Sequence, residues 1–209
     1  MKKGFSIVGI GTDVGKTVVS AIVSEALGAL YFKPIQAGDL DNSDSMKVRR
    51  YCSDNVEVAK EIYRLKTPMA PHGAAEIDGV QLRLSEIVLP VSDKPLVLEG
   101  AGGLMVPLNE EYETLLDIYK RAHLPVILVS RHYLGSINHT LLTADRLKAE
   151  KLQIAGIVYV GDENKVTESI IERFTDLKTI ARIPIVDEIT PEFVKEQSGK
   201  FKGLVYEFN

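Results

Sequence analysis

With 209 residues, 45% hydrophobic and 26% charged, the chain can bury a sizeable core, and its composition is ordinary for one globular unit, a single domain over residues 1–209. Its net charge of −4 argues against a nucleic-acid partner or an anionic membrane surface, since both are bound through excess lysine and arginine. The lone Cys52 excludes an internal disulfide and leaves a zinc site unsupported, so a reducing cytoplasm is the expected compartment.

In chain order, the apolar run Phe5–Ile10 reads as a strand; at six residues it is too short for a secretory core, and no segment approaches the roughly 20 apolar residues of a membrane span. A helix pattern over Lys16–Leu27 ends at Gly28, a sensible stop signal, and a strand over Leu30–Phe32 is closed by Pro34. The basic cluster Lys47, Arg49 and Arg50 reads as one solvated helix face. Residues 53–93, punctuated by Pro68, Pro71, Gly73 and Gly79, are the least regular part and are expected to cap the sheet. Beyond them lie strands Leu96–Leu98, Val126–Val129 and Ile154–Val160, alternating with helices Thr114–Ala122, Ile137–Lys148 and Val166–Phe174. Continuous Val/Ile/Leu strands are covered on both faces, so the pattern predicts a three-layer α/β fold of the P-loop NTPase type, with a mostly parallel sheet and right-handed crossovers.

Four segments carry chemistry. Gly9-Ile-Gly-Thr-Asp-Val-Gly15-Lys16-Thr17 runs from the first strand into the first helix. Its glycines let backbone N–H groups approach phosphate oxygens at a helix N-terminus, Lys16 reaches the β/γ-phosphates and the Thr17 hydroxyl holds Mg²⁺. The first interval is G-x5-G-K-T, one residue longer than the usual G-x4-G-K-[ST]. Glu99 ends the strand Leu96–Leu98 where a parallel sheet presents its ligands, facing the metal opposite Thr17, and the glycines of Gly100-Ala101-Gly102-Gly103 let backbone lie against phosphates. Lys33 ends the second strand on the same edge, and Asp44 follows in Asn42-Ser43-Asp44; each fits a surface salt bridge as well as it fits a catalytic or metal-binding role. In Leu134-Gly135-Ser136-Ile137-Asn138-His139, Ser136 reads either as a simple N-cap or as part of a helix start that holds a carboxylate. His72, His123, His132 and His139 form no cluster, and the Tyr and Phe residues read as core.

Together and in this order, the segments Gly9–Thr17, Lys33–Gly38, Asn42–Asp44, Glu99–Gly103 and Leu134–His139 resemble dethiobiotin synthetase, with Pro71-His72 and Ile183-Pro184 also matching in position. The resemblance implies an ATP-dependent cyclo-ligase, homodimeric, with Mg²⁺ as cofactor and ATP as co-substrate. It would join CO₂ to 7,8-diaminononanoate and close the ureido ring of dethiobiotin through a carbamate and a carbamic-phosphoric anhydride. It implies catalytic Lys16 and Lys33, and Mg²⁺ on Thr17, Asp44 and Glu99. Nucleotide contacts fall on Thr12, Asp13, Val14, Gly15, Lys16, Thr17, Val18, Asp44, Glu99, Gly100, Ala101, Gly102, Pro184, Ile185 and Val186. Substrate contacts fall on Thr12, Lys33, Ala37, Gly135, Ser136, Ile137 and Asn138, the helix start being supplied by the neighbouring subunit.

Two positions depart from the family pattern. Ala37 stands where a hydroxyl residue commonly meets the substrate, and Val160 stands where an asparagine commonly reads adenine, so discrimination among nucleotides is expected to be modest. Two rival classes share similar loops. A regulatory ATPase of the partitioning or positioning type carries a signature lysine where this chain has Gly11, and an amidotransferase-type synthase needs a glutaminase region with a nucleophilic cysteine, whereas Cys52 lies in a different segment.

Overall fold

The computed structural model describes residues 3–201, 203 and 204. Five of its strands were expected and are observed as β1 (Gly4–Gly9), β2 (Leu30–Phe32), β6 (Leu96–Glu99), β7 (Val126–Arg131) and β8 (Ile154–Val160). The expected helices are α1 (Lys16–Leu27), α4 (Leu115–Ala122), α5 (Ser136–Ala149) and α6 (Lys165–Thr175). Gly28 closes α1 in the left-handed region with φ 57°, a conformation that glycine adopts without a Cβ penalty.

The remaining elements escaped the periodicity because they are short. They are β3 (Ile35–Ala37), α2 (Asp44–Tyr51), β4 (Glu57–Val58), β5 (Tyr63–Leu65), α3 (Pro71–Asp78), β9 (Thr179–Ile183) and α7 (Pro191–Ser198). Strand β2 ends before Pro34 as expected, and β3 begins one residue after it. Residues 53–93 are more ordered than their composition suggests. Pro71 occupies the first turn of α3 and Gly79 caps it with φ 67°, so two residues that read as loop punctuation are the start and stop of a helix. Ser43 caps α2 and Thr190 caps α7, each side chain accepting a backbone N–H.

Seven strands form one parallel sheet in the order β4-β2-β6-β1-β7-β8-β9, and β3 pairs with β5 in a small parallel ribbon. From β1 the chain goes to β2 and β4 on one side, returns to insert β6 beside β1, and then crosses to β7, β8 and β9, so the direction of the connections reverses at β1 and β6, the topological switch point. A crevice opens there at the carboxyl ends of the strands, the place where open α/β sheets bind ligands. Helix α1 packs with α2 and α7, and α5 packs with α6. Residues such as Ile7, Val97, Ile127 and Val158 are fully buried between these layers. Among the described residues, no helix is long and apolar enough to cross a membrane.

The residue just past β6 is closely packed against α4. A Cβ on Gly100 would lie 2.1 Å from the hydroxyl oxygen of the buried Tyr119 on α4. Gly100→Ala is therefore expected to destabilise the fold by about 1–3 kcal/mol through overpacking, and Tyr119→Phe in the same chain to recover part of the loss. Denaturant unfolding of the two single variants and the double variant measures the coupling; strictly additive costs would contradict this packing.

Candidate active site

The site is assembled where β1, β2 and β6 end. From β1 the chain enters a loop in which Asp13 (φ 57°) and Gly15 (φ 94°) take left-handed conformations. Gly15 immediately precedes α1, and a Cβ there would press on the Val160 methyl groups at 3.0–3.1 Å. The bend aims the N-terminus of α1 into the cleft. Lys16 folds back so that its ammonium donates to the Gly11 carbonyl at 2.7 Å, and it is only 7% exposed. Burial is the largest influence on Lys16 and lowers its pKa to about 8, although Glu99 pulls the other way.

Glu99, at the end of β6, is fully buried and collects three donors. Thr17 donates its hydroxyl to Oε1 at 2.9 Å, the Lys33 ammonium reaches the same oxygen at 3.4 Å, and Tyr31 donates to Oε2 at 2.9 Å. Lys33 also makes a short ion pair with Asp44, which opens α2. Burial opposes the charge on both partners, but attraction prevails: Glu99 and then Asp44 raise the Lys33 pKa, and Lys33 lowers that of Asp44. Burial, and next the Glu99 carboxylate, hold the Tyr31 hydroxyl well above the ordinary phenol value, so it stays a donor. Lys33 and Asp44, for which a surface salt bridge was an equal alternative, thus form a pair inside the site.

Thr17, Asp44 and Glu99 offer hard oxygen donors only, the set Mg²⁺ prefers, and the Lys33 ammonium lying between the two carboxylates marks a place where they already take positive charge. Among the described residues, no cluster of three or more His, Cys, Asp or Glu can hold a metal ion. A cation on Thr17, Asp44 and Glu99 would therefore complete its coordination with water and phosphate oxygens, as Mg²⁺ commonly does.

These residues border an open cleft of about 770 Å³. Thr12, Asp13, Gly15, Lys16, Thr17, Val18, Lys33, Ala37, Asp44, Glu99, Ala101 and Gly102 all line it. Val14 instead turns into the core, and Gly100 lies beneath Tyr119. Gly135, Ser136, Ile137 and Asn138 do not reach this cleft within one chain, nor do Pro184, Ile185 and Val186. Ser136 is not the N-cap of α5: Gly135 takes that position with φ 103°, and Ser136 is buried as the first helical residue. A Cβ on Gly161 would stand 3.4 Å from the Ile185 side chain, so the end of β8 connects the loop before α1 with the segment after β9. Asn164, the nearest side-chain amide in sequence to Val160, has its oxygen engaged in capping α6.

Several cleft residues had no distinguishing signal in the sequence. Lys47 was read as part of a solvated face; Arg49 and Arg50 are exposed, but Lys47 turns into the cleft and pairs with Asp39 at 2.8 Å and Asp44 at 3.6 Å. Gln36 accepts the Asp44 backbone N–H at 3.2 Å. Tyr31 read as core because it sits in an apolar strand, and only the fold shows where its hydroxyl goes. His132 packs on Tyr159 with ring centres 5.2 Å apart and meets Glu168 at 2.9 Å, while His72, His123 and His139 are exposed.

A parallel sheet with its switch point at β1 and a glycine-rich loop leading into α1, with lysine and threonine opening the helix, defines a P-loop nucleotide-binding protein. The same fold occurs in the cell-division ATPase MinD of Pyrococcus furiosus, at 15% identity and a TM-score of 0.60 over 98% of this chain and all of that one. It also occurs in the septum site-determining protein MinD of Pyrococcus horikoshii, at 19% identity and a TM-score of 0.59 over 97% and 90%. A family described as "AAA domain" matches residues 3–193. The chain is 53% identical to the ATP-dependent dethiobiotin synthetase BioD of Christiangramia forsetii over 99% of its length and all of that protein's. It is 41% identical to the protein of the same name from Rhodopseudomonas palustris, over 93% and 92%. The chain belongs to the ATP-dependent dethiobiotin synthetase family.

The burial of Lys16 makes a prediction about the free protein. Its folded pKa of about 8 lies below the unfolded value of 10.5, so the penalty for burying the charge is fully present below pH 8 and is relieved as pH rises toward 10.5. Lys16→Met should be the more stable protein at pH 7, by on the order of 3 kcal/mol. The gap should close as pH rises from 8 to 10.5. A gap that stays constant or widens over that range, measured by denaturant unfolding at stepped pH, would contradict the assignment.

Proposed function

We propose that this chain forms dethiobiotin in biotin synthesis, using ATP to join CO₂ to 7,8-diaminononanoate with release of ADP and phosphate. The observation that carries the reading is the convergence of two buried lysines, Lys16 and Lys33, on one cleft beside Thr17, Asp44 and Glu99, in a chain whose relatives carry that name. One substrate amine adds to CO₂ and loses a proton to give a carbamate. A carbamate oxygen then takes the γ-phosphoryl group of ATP, and the second amine attacks the carbamoyl carbon and expels phosphate. Carbamate and triphosphate are both anions, so bringing them together is a matter of positioning and charge neutralisation. Lys16 acts at the phosphates, and Lys33 lies between them and the carbamate. Thr17, Asp44 and Glu99 would hold Mg²⁺, which when bound neutralises charge on the phosphoryl oxygens. Residues 1–209 act as one domain in the cytoplasm.

Incubating the purified chain with diaminononanoate, bicarbonate and ATP and following dethiobiotin by mass spectrometry tests this reading; no product under any nucleotide would refute it. The same assay addresses base selectivity. With Val160 against the loop and Asn164 engaged as a cap, replacing ATP by CTP or GTP should change kcat/KM by less than about 200-fold, and a larger preference would require another reader of the base.

The far carboxylate of the substrate needs an anion site, and we infer that the helix start Gly135–Asn138 of a second subunit supplies it through backbone N–H groups and the Asn138 amide. Supporting this, Tyr133, Leu134 and Ile137 around the helix start are exposed apolar side chains, Leu134 fully so, a surface suited to a homodimer. Lys33→Ala should lower kcat by roughly 10²–10³, by analogy with loss of one preorganised donor. Asn138→Asp should be inactive because its charge repels the carboxylate. In a heterodimer of the two variants one shared site carries both defects and the other none, so activity should return on subunit exchange. A verified heterodimer that stays as inactive as both parents would sink the shared site.

A further inference from the structure

We infer that Tyr31 is a positioning residue for this reaction, holding the Glu99 carboxylate so that one of its oxygens alone is presented to the cleft. Glu99 Oε2 accepts the Tyr31 hydroxyl at 2.9 Å, while Oε1 meets Thr17 at 2.9 Å and Lys33 at 3.4 Å. Both Tyr31 and Glu99 are fully buried. Strand β2 runs parallel beside β6, with Tyr31 opposite Val97 and Phe32 opposite Leu98. Side chains alternate between faces along extended chain, and Lys33, just beyond β2, falls on the same side as Tyr31; both reach Glu99, one to each oxygen.

A phenol hydroxyl in the middle of a sheet is costly unless it is bonded. Phe32, on the opposite face of the same strand, fills its place without one. The Tyr31 hydroxyl is therefore explained by its bond to Glu99 and not by packing. The terminal torsion of a glutamate is broad, so an unanchored carboxylate can turn or offer both oxygens. Mg²⁺ demands near-ideal octahedral geometry and suits a single oxygen from each of a few carboxylates. Groups that hydrogen bond to a metal's ligands typically alter affinity or activity 10–100-fold when removed.

The inference rests on the reading of Glu99 as a metal ligand, and the experiment separates the two. ADP binding to wild type, Tyr31→Phe and Glu99→Gln is measured by calorimetry without divalent metal and at stepped Mg²⁺, with thermal unfolding alongside. Tyr31→Phe keeps the ring and deletes one oxygen. Its Mg²⁺ requirement for tight ADP binding should rise about 10–100-fold, with metal-free ADP binding unchanged. If Glu99→Gln shifts the Mg²⁺ requirement and Tyr31→Phe stays within twofold of wild type, the positioning role is wrong and the metal reading stands. If neither variant shifts it, the metal reading is wrong and the positioning role falls with it. Equal weakening of metal-free and Mg²⁺-dependent binding in Tyr31→Phe would mark the hydroxyl as structural only and overturn the inference.

Discussion

The structure turns on one buried carboxylate at the wall of the cleft. Glu99 ends a central strand with no exposed surface, and an uncompensated charge in that position would cost several kcal/mol. Three donors from two segments compensate it: Thr17 from the first turn of α1, and Tyr31 in β2 with Lys33 just beyond it. Each bond also ties its segment to β6, so satisfying one charge fixes the P-loop, the second strand and, through Lys33 and Asp44, the start of α2 in one arrangement.

That arrangement leaves the cluster electrically balanced before any ligand arrives. Lys33 is matched by Asp44 and Glu99, and Lys47 by Asp39 and Asp44. Lys16 donates to a neutral carbonyl and is easily deprotonated for a lysine. A triphosphate entering such a site meets little surplus positive charge from side chains. The amides of the loop and helix start can supply part of what it needs, and this shortfall is the physical reason for proposing a divalent cation on Thr17, Asp44 and Glu99. In the free protein, Lys33 is thus the counter-ion of two carboxylates at once.

The likeness to the MinD proteins extends to the fold alone. The two MinD proteins share the fold at identities under 20%, and a fold by itself does not fix a function. In this chain the local features of the cleft are Gly11, whose carbonyl receives Lys16, and the Lys33–Asp44 pair.

The sequence by itself determined the parallel α/β class, the long elements and the loop from Gly9 to Thr17. These depend on local periodicity and on the need of phosphate for small residues before a helix, both of which are written in adjacent positions. It also singled out Glu99 as a strand-end residue opposite Thr17, but left Lys33 and Asp44 as either a salt bridge or site residues, because contacts across 11 to 66 positions leave no local pattern. Short elements such as α3 and β5 were hidden for a related reason: with three to eight residues they show less than a clear period, and Pro71 and Gly79 read as breaks until the helix between them is seen. Only the tertiary structure decided that Tyr31 is polar in effect while Phe32 is not, that Lys47 turns inward while Arg49 and Arg50 face solvent, and that Gly135 takes the cap expected of Ser136. In each case the deciding quantity is which face of a strand or helix meets a buried charge or turn, and that is set by the register of segments far apart in the chain.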